Sequence, residues 1–144
     1  MDTVIKKIKT EDTYLIRKEV LRKGIDLPYK FVGDFDDETY HLGAFFNDKQ
    51  VGIVTLMKSE NNIFVDNQYQ LRGMATLIEV RGKGIGKQIV NEALSLLRND
   101  GVTTLWCNAR EEASSFYKGL GFTIVGESFI VEKVGVHYVM TIDL

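Results

Sequence analysis

Apolar residues recur along this chain at two periods, and the changes between them predict its elements. Val4-Ile5-Lys6-Lys7-Ile8 reads as a short strand. Thr10 can cap a helix over Glu11–Lys23, with Glu11 and Asp12 in the first turn and Gly24 as its stop. His41–Phe46 and Val51–Lys58 read as strands joined through Asn47-Asp48-Lys49-Gln50, and Tyr69–Leu77 is a further strand after an Asn61-Asn62 turn. From Ile85 the spacing turns helical: Ile85, Ile89, Ala93, Leu96 and Leu97 share one face, with Lys87, Asn91, Glu92, Ser95 and Arg98 opposite, until Asn99-Asp100-Gly101. Thr103–Asn108 is a strand and Glu111–Lys118 a short helix, before closing strands over Thr123–Val131 and Val136–Ile142. Many strands interrupted by a few helices predict an α/β (α+β mixed) domain spanning 1–144, its mixed sheet covered by helices.

Composition narrows the class. Net charge is −2, so no basic field exists to hold nucleic acid or an anionic membrane. Cys107 is the only cysteine, which excludes an intrachain disulfide or a thiolate metal cluster, and as a strand residue it reads as core. The first residues lack an apolar signal core and no run reaches membrane-spanning length, so a soluble, cytoplasmic protein is expected. Asp34, Asp36, Asp37 and Glu38 lack the spacing of a calcium loop and read as a solvated acidic loop.

The most informative stretch is Thr76-Leu77-Ile78-Glu79-Val80-Arg81-Gly82-Lys83-Gly84-Ile85-Gly86-Lys87, where a strand enters a glycine-rich turn and a helix follows at once. Unpartnered helix amides, the macrodipole and close backbone approach make such a turn an anion site. Arg81, Lys83 and Lys87 add cations. A P-loop needs four residues between glycine and Gly-Lys and then Ser or Thr, whereas Gly82 and Gly86 enclose three and Gln88 follows. The alternating glycines also fail the dinucleotide fingerprint.

Arg-x-x-Gly-x-Gly, from Arg81 through Gly84 to Gly86, resembles the acyl-CoA signature of the GNAT acetyltransferases. Ala113-Ser114-Ser115-Phe116-Tyr117-Lys118-Gly119-Leu120-Gly121-Phe122 resembles that family's Ala-x-x-x-Tyr-x-x-x-Gly-Phe segment. The resemblance runs from Tyr69 to the C-terminus and is loose before it. It implies a strongly twisted sheet of about seven strands, strands four and five parallel and splayed, with about four helices around it. It further implies acetyl-CoA as co-substrate, no metal, an amine of a small molecule or peptide as acceptor, and a homodimer as an allowed assembly. Carried over by residue, Met74 and Thr76 pair with pantetheine, while Arg81, Gly82, Lys83, Gly84, Ile85, Gly86 and Lys87 hold the pyrophosphate. Tyr117 matches the tyrosine near the CoA sulfur, the usual general acid. Where the family often has Asn, this chain has Arg110, with Asn108 two residues earlier as the candidate CoA contact.

Amine acetylation needs a neutral amine at the thioester carbon, a donor for developing oxyanion charge and a leaving thiolate. Unperturbed tyrosine titrates near 10 and a thiol near 8.5, so full proton transfer from Tyr117 to sulfur is uphill by about 2 kcal/mol. Hydrogen bonding to the developing thiolate competes with complete transfer, and a core aromatic beside Phe116 competes with both. His137 is the candidate base, with Glu132 across the final turn as the group orienting it, a pattern resembling the Glu…Gly-x-x-His-x-x-Met ending of some small bacterial GNATs. Glu79 reads as solvated or loop-bracing and His41 as sheet packing. A non-catalytic acyl-CoA sensor and a protein-interaction domain are the rival readings.

Overall fold

β-branched and aromatic runs form seven strands: β1 (Thr3–Lys7), β2 (Tyr40–Phe46), β3 (Lys49–Met57), β4 (Gln68–Thr76), β5 (Thr104–Arg110), β6 (Thr123–Val131) and β7 (Gly135–Asp143). In this computed structural model, which describes residues 3–65 and 67–144, they make one sheet in the order β1-β2-β3-β4-β5-β7-β6. Every neighbouring pair is antiparallel except β4 and β5, which run parallel.

The first helical segment departs from the expected regular helix over Glu11–Lys23. A 3-10 turn (Thr10–Thr13), a short α1 (Tyr14–Ile16) and a π-helical turn (Arg17–Leu21) follow one another. Thr10 does not cap this segment: its hydroxyl donates to the Asp34 carbonyl at 3.0 Å and lies 3.1 Å from His41 Nε2, so it is spent on a tertiary contact.

The helix α2 (Ile85–Asn99) buries Ile85, Ile89, Val90, Ala93, Leu94 and Leu97 as one apolar stripe against the β1–β4 half of the sheet. Leu96, expected on that stripe, sits at its margin, because Val90 and Leu94 take the central rows. Helix and sheet approach so closely that a Cβ on Gly52 of β3 would lie 2.6 Å from the Ile89 Cδ1 atom. The short α3 (Ser114–Gly119) joins β5 to β6 and buries Tyr117. Three α-helical pieces therefore stand among the described residues, against an expectation of about four. No helix among the described residues is long and apolar enough to cross a membrane.

The acidic loop also needs correction. Asp36, Asp37 and Glu38 are exposed, but Asp34 is buried and receives both terminal nitrogens of Arg17, at 2.8 and 2.9 Å. Arg17 Nη2 also donates to Thr55 Oγ1 at 2.8 Å, and that hydroxyl lies 2.8 Å from His41 Nδ1. His41 thus belongs to a buried polar network that ties the helical segment to β2 and β3. A buried charge is tolerated only when paired and hydrogen-bonded in this way.

Candidate functional site: a wedge between two parallel strands

Parallel pairing of β4 with β5 lasts only from Gln68 opposite Thr104 to Gln70 opposite Trp106. Beyond that point β5 stays with β7, down to Arg110 opposite His137, while β4 follows β3. The divergence coincides with a bulge, since Thr55 pairs with Arg72 and Ile53 with Ala75, leaving Gly73 and Met74 against one residue of β3. Gly73 has φ of 59°, and a Cβ there would lie 3.1 Å from the Phe31 ring, so conformation and space both require glycine. The resulting cleft of about 900 Å³ reaches from the α2 N-terminus to the turn between β6 and β7.

At one end the chain leaves β4, makes a 3-10 turn (Ile78–Val80) and enters α2 through Gly84, whose φ is 77°. The first internal bond of α2 runs from Gln88 to the Gly84 carbonyl, so the amides of Ile85, Gly86 and Lys87 have no acceptor within the helix. Side chains or backbone of Arg81, Gly82, Gly84, Ile85, Gly86 and Lys87 line the cleft. Gly86 lets α2 settle on its neighbours, because a Cβ would lie 3.2 Å from Met74 and 3.3 Å from Phe116. Gly82 and Gly84 have open space around them, and their positive φ is what calls for glycine. Lys83 stands apart from this set. Its amide bonds the Val80 carbonyl at 3.3 Å, and its ammonium lies 5.4 Å from the Phe46 ring centre, away from the cleft. Glu79 pairs with Lys49 at 2.8 Å, as a brace on the loop.

In the middle, Met74 and Thr76 of β4 face Asn108 of β5 across the opened strands, and all three line the cleft. Tyr117 reaches it from α3, only 6% exposed and edge-on to Phe116 and Phe122 at 5.1 and 5.3 Å. Burial, together with the neighbouring Cys107 thiol, pushes the tyrosine well above its ordinary range, so the hydroxyl stays protonated and keeps a proton to donate. Burial likewise pushes the Cys107 thiol up to about 12, which leaves it a neutral core group with no nucleophilic thiolate.

His137 lines the same cleft from β7 and is 7% exposed. Its Nδ1 lies 2.9 Å from the Gly135 carbonyl, which can only accept, so Nδ1 carries the proton and Nε2 of the neutral ring carries the lone pair. Phe129 packs along the ring at 5.8 Å. The expected orienting role of Glu132 is not seen. Glu132 lies in the turn between β6 and β7, outside the cleft lining, and makes no bond to His137 among the described residues. The backbone of the turn itself, through Gly135, fixes the imidazole.

Sequence reasoning missed the far end of the cleft. Leu21, Arg22, Leu27 and Phe31 close it from the N-terminal third, with Arg72 from β4 and Arg110 from β5. Arg110 donates to the Leu21 carbonyl at 2.9 Å, a brace from β5 to the helical segment. The one signal available was Arg72, a charge inside an otherwise apolar strand pattern.

The same architecture recurs in solved structures at low identity. Escherichia coli ElaA matches with a TM-score of 0.80 at 14% identity, covering 97% of this chain and 99% of that one. An aminoglycoside 6'-N-acetyltransferase complexed with coenzyme A matches with a TM-score of 0.77 at 14% identity, over 97% and 96% of the two chains. In sequence, YitI of Bacillus subtilis, described as an uncharacterized N-acetyltransferase, is 33% identical over 138 residues, covering 94% of this chain and 93% of that protein. The family model "Acetyltransferase (GNAT) domain" matches residues 16–144. With the splayed parallel pair, the glycine turn and a relative matched nearly end to end, this chain belongs to the GNAT acetyltransferase family.

Proposed function

We propose that this protein transfers an acetyl group from acetyl-CoA directly to a primary amine of a small molecule or peptide. One observation carries the reading: a single cleft joins the unpaired amides of α2, the opened edge of β4, the Tyr117 side chain and the His137 imidazole. The residues fit the co-substrate. Ile85, Gly86 and Lys87 amides with the Arg81 and Lys87 cations suit a pyrophosphate. The Met74–Thr76 edge, freed from β5, suits an extended amide-bearing arm. The names of YitI and of the CoA-complexed aminoglycoside enzyme support the same chemistry.

In the reaction the amine nitrogen bonds the thioester carbon and the carbon–sulfur bond breaks. His137 Nε2 takes the proton that the ammonium must lose before attack. Tyr117 donates its hydroxyl hydrogen bond to sulfur as negative charge gathers there. Burial holds the proton on the Tyr117 oxygen, which favours stabilising the thiolate by hydrogen bonding over complete transfer. As the amide forms the nitrogen sheds its second proton; one proton ends on the departing sulfur and the one held by His137 passes to solvent, which resets the site.

A single cysteine, buried and reduced, suits a cytoplasmic setting. The test is thiol release from acetyl-CoA over a panel of primary amines. Amine-dependent release with formation of the N-acetyl product is expected. Stoichiometric acetyl-CoA binding without release, across small amines, polyamines and peptides, would leave a non-catalytic sensor instead.

A further inference from the structure

The far end of the cleft is cationic without the carboxylates that would balance it. Arg22, Arg72 and Arg110 all line it, and none forms an ion pair among the described residues. The one buried acid nearby, Asp34, is committed to Arg17 at 2.8 Å. The one carboxylate lining the cleft, Glu112, belongs to the turn that leads into α3. Burial and the charges of Arg110, Arg72 and Arg17 push the Arg22 guanidinium below its ordinary value, and burial with Arg17 does the same to Arg72. Gathering like charges in a partly desolvated site costs free energy, and a bound anion removes that cost.

The guanidinium groups are also held in place. Arg17, Arg72 and Arg22 lie 3.9, 4.2 and 5.7 Å from the centre of the Phe31 ring. Arg22 Nε donates to the Pro28 carbonyl at 2.9 Å, and Arg110 Nη2 to the Leu21 carbonyl at 2.9 Å. Each guanidinium has five N–H donors, so these bonds leave most of them free. A planar, pre-oriented fork is suited to the oxygens of a carboxylate or phosphate.

This cluster is distinct from the anion site at α2. That end has its own cations, Arg81 and Lys87, whereas Arg72 precedes the bulge and lies on the opposite side of Met74–Thr76. We infer that the acceptor is itself anionic: a primary amine bearing a carboxylate or phosphate that Arg22, Arg72 and Arg110 hold while the amine faces the thioester near His137. The inference rests on the acetyltransfer reading above.

The test uses matched acceptors at fixed ionic strength: amino acids against their methyl esters, and phosphoethanolamine against ethanolamine. In thiol release, the anionic member of at least one series should show at least about tenfold higher kcat/KM, and the series that does so names the oxyanion. Arg72→Gln, which disturbs no hydrogen bond of the fold, and separately Arg22→Gln should bring that ratio towards one through KM. The same pairs are read by thermal stabilisation of the intact protein with and without CoA, which needs no turnover. Stabilisation by anionic members that Arg72→Gln or Arg22→Gln abolishes, with no thiol release, would retain the anion site and reject acetyl transfer. Equal stabilisation and turnover by charged and neutral members, or a charge preference that survives in both variants, overturns the anionic acceptor while leaving acetyl transfer intact.

Discussion

Arg17 and Asp34 form a buried two-pronged ion pair, with nitrogen–oxygen distances of 2.8 and 2.9 Å, between the first helical segment and the loop before β2. Asp34 also accepts from the Phe31 amide at 2.8 Å, so the pair fixes the ring on which the cleft arginines rest. A contact 17 residues apart in sequence thereby shapes the arginine-lined end of a cleft whose other end lies at α2.

Removing one partner should be costly. Asp34→Asn or Arg17→Met should each destabilise the protein by about 3–5 kcal/mol, because an uncompensated buried charge or unpaired donor remains. Arg17→Met combined with Asp34→Asn should cost less than the sum of the single changes. Urea midpoints measure this, and strictly additive losses would mean that the two side chains do not act as a pair.

The same pair sets an acid limit. Burial pushes the Asp34 carboxyl up, but hydrogen bonds from Arg17 and the Phe31 amide, with the Arg17 charge, outweigh it and leave the folded value lowered. A lowered folded value stabilises fully above the unfolded carboxylate value of about 3.9, and that contribution is lost as pH falls through the folded value. The stability gap between wild type and Asp34→Asn should therefore hold constant down to about pH 5 and shrink below about pH 4. A gap unchanged at about pH 2 would contradict a paired carboxylate.

Tyr117→Phe removes a hydroxyl and keeps the ring between Phe116 and Phe122. Fold and acetyl-CoA binding should persist while kcat falls about ten- to ten-thousand-fold. Wild-type turnover in the variant would make Tyr117 a packing residue alone.

For His137, the pH profile of kcat/KM should show an ascending limb that stays fixed when acceptors of different basicity are compared. His137→Gln should remove that limb and lower kcat/KM while acetyl-CoA still binds. A limb that tracks each acceptor's own pKa, and survives in His137→Gln, would pass the base's duty to water.

The strands and α2 are legible in the sequence because their apolar periods are strong and local. The glycine turn is legible because backbone geometry and anion chemistry need the same residues there. The first helical segment is legible in its place but not in its form. Its 3-10 and π-helical turns follow from Thr10 and Arg17 bonding to Asp34, and no periodicity encodes a partner 17 or 24 residues away. Asp34 is hidden for the same reason, since an acidic run reads as solvated unless its cation is known. Glu132 is close to His137 in sequence, yet the tight turn gives the imidazole nitrogen to the Gly135 carbonyl. The arginine cluster gathers residues 22, 72 and 110 from three separate elements, beyond the reach of any local pattern.

The central claim is that the amides opening α2 hold the pyrophosphate of acetyl-CoA, and calorimetric titration of wild type and Gly84→Asp tests it most directly. Gly84 has φ of 77°, and a Cβ added there would meet nothing within 4 Å. Aspartate is among the side chains that tolerate this conformation, so the variant should fold. Its carboxylate would stand at the anion site. Wild type should bind acetyl-CoA one to one and gain thermal stability on binding, and folded Gly84→Asp should lose both. Equal affinity in the two proteins would contradict the account.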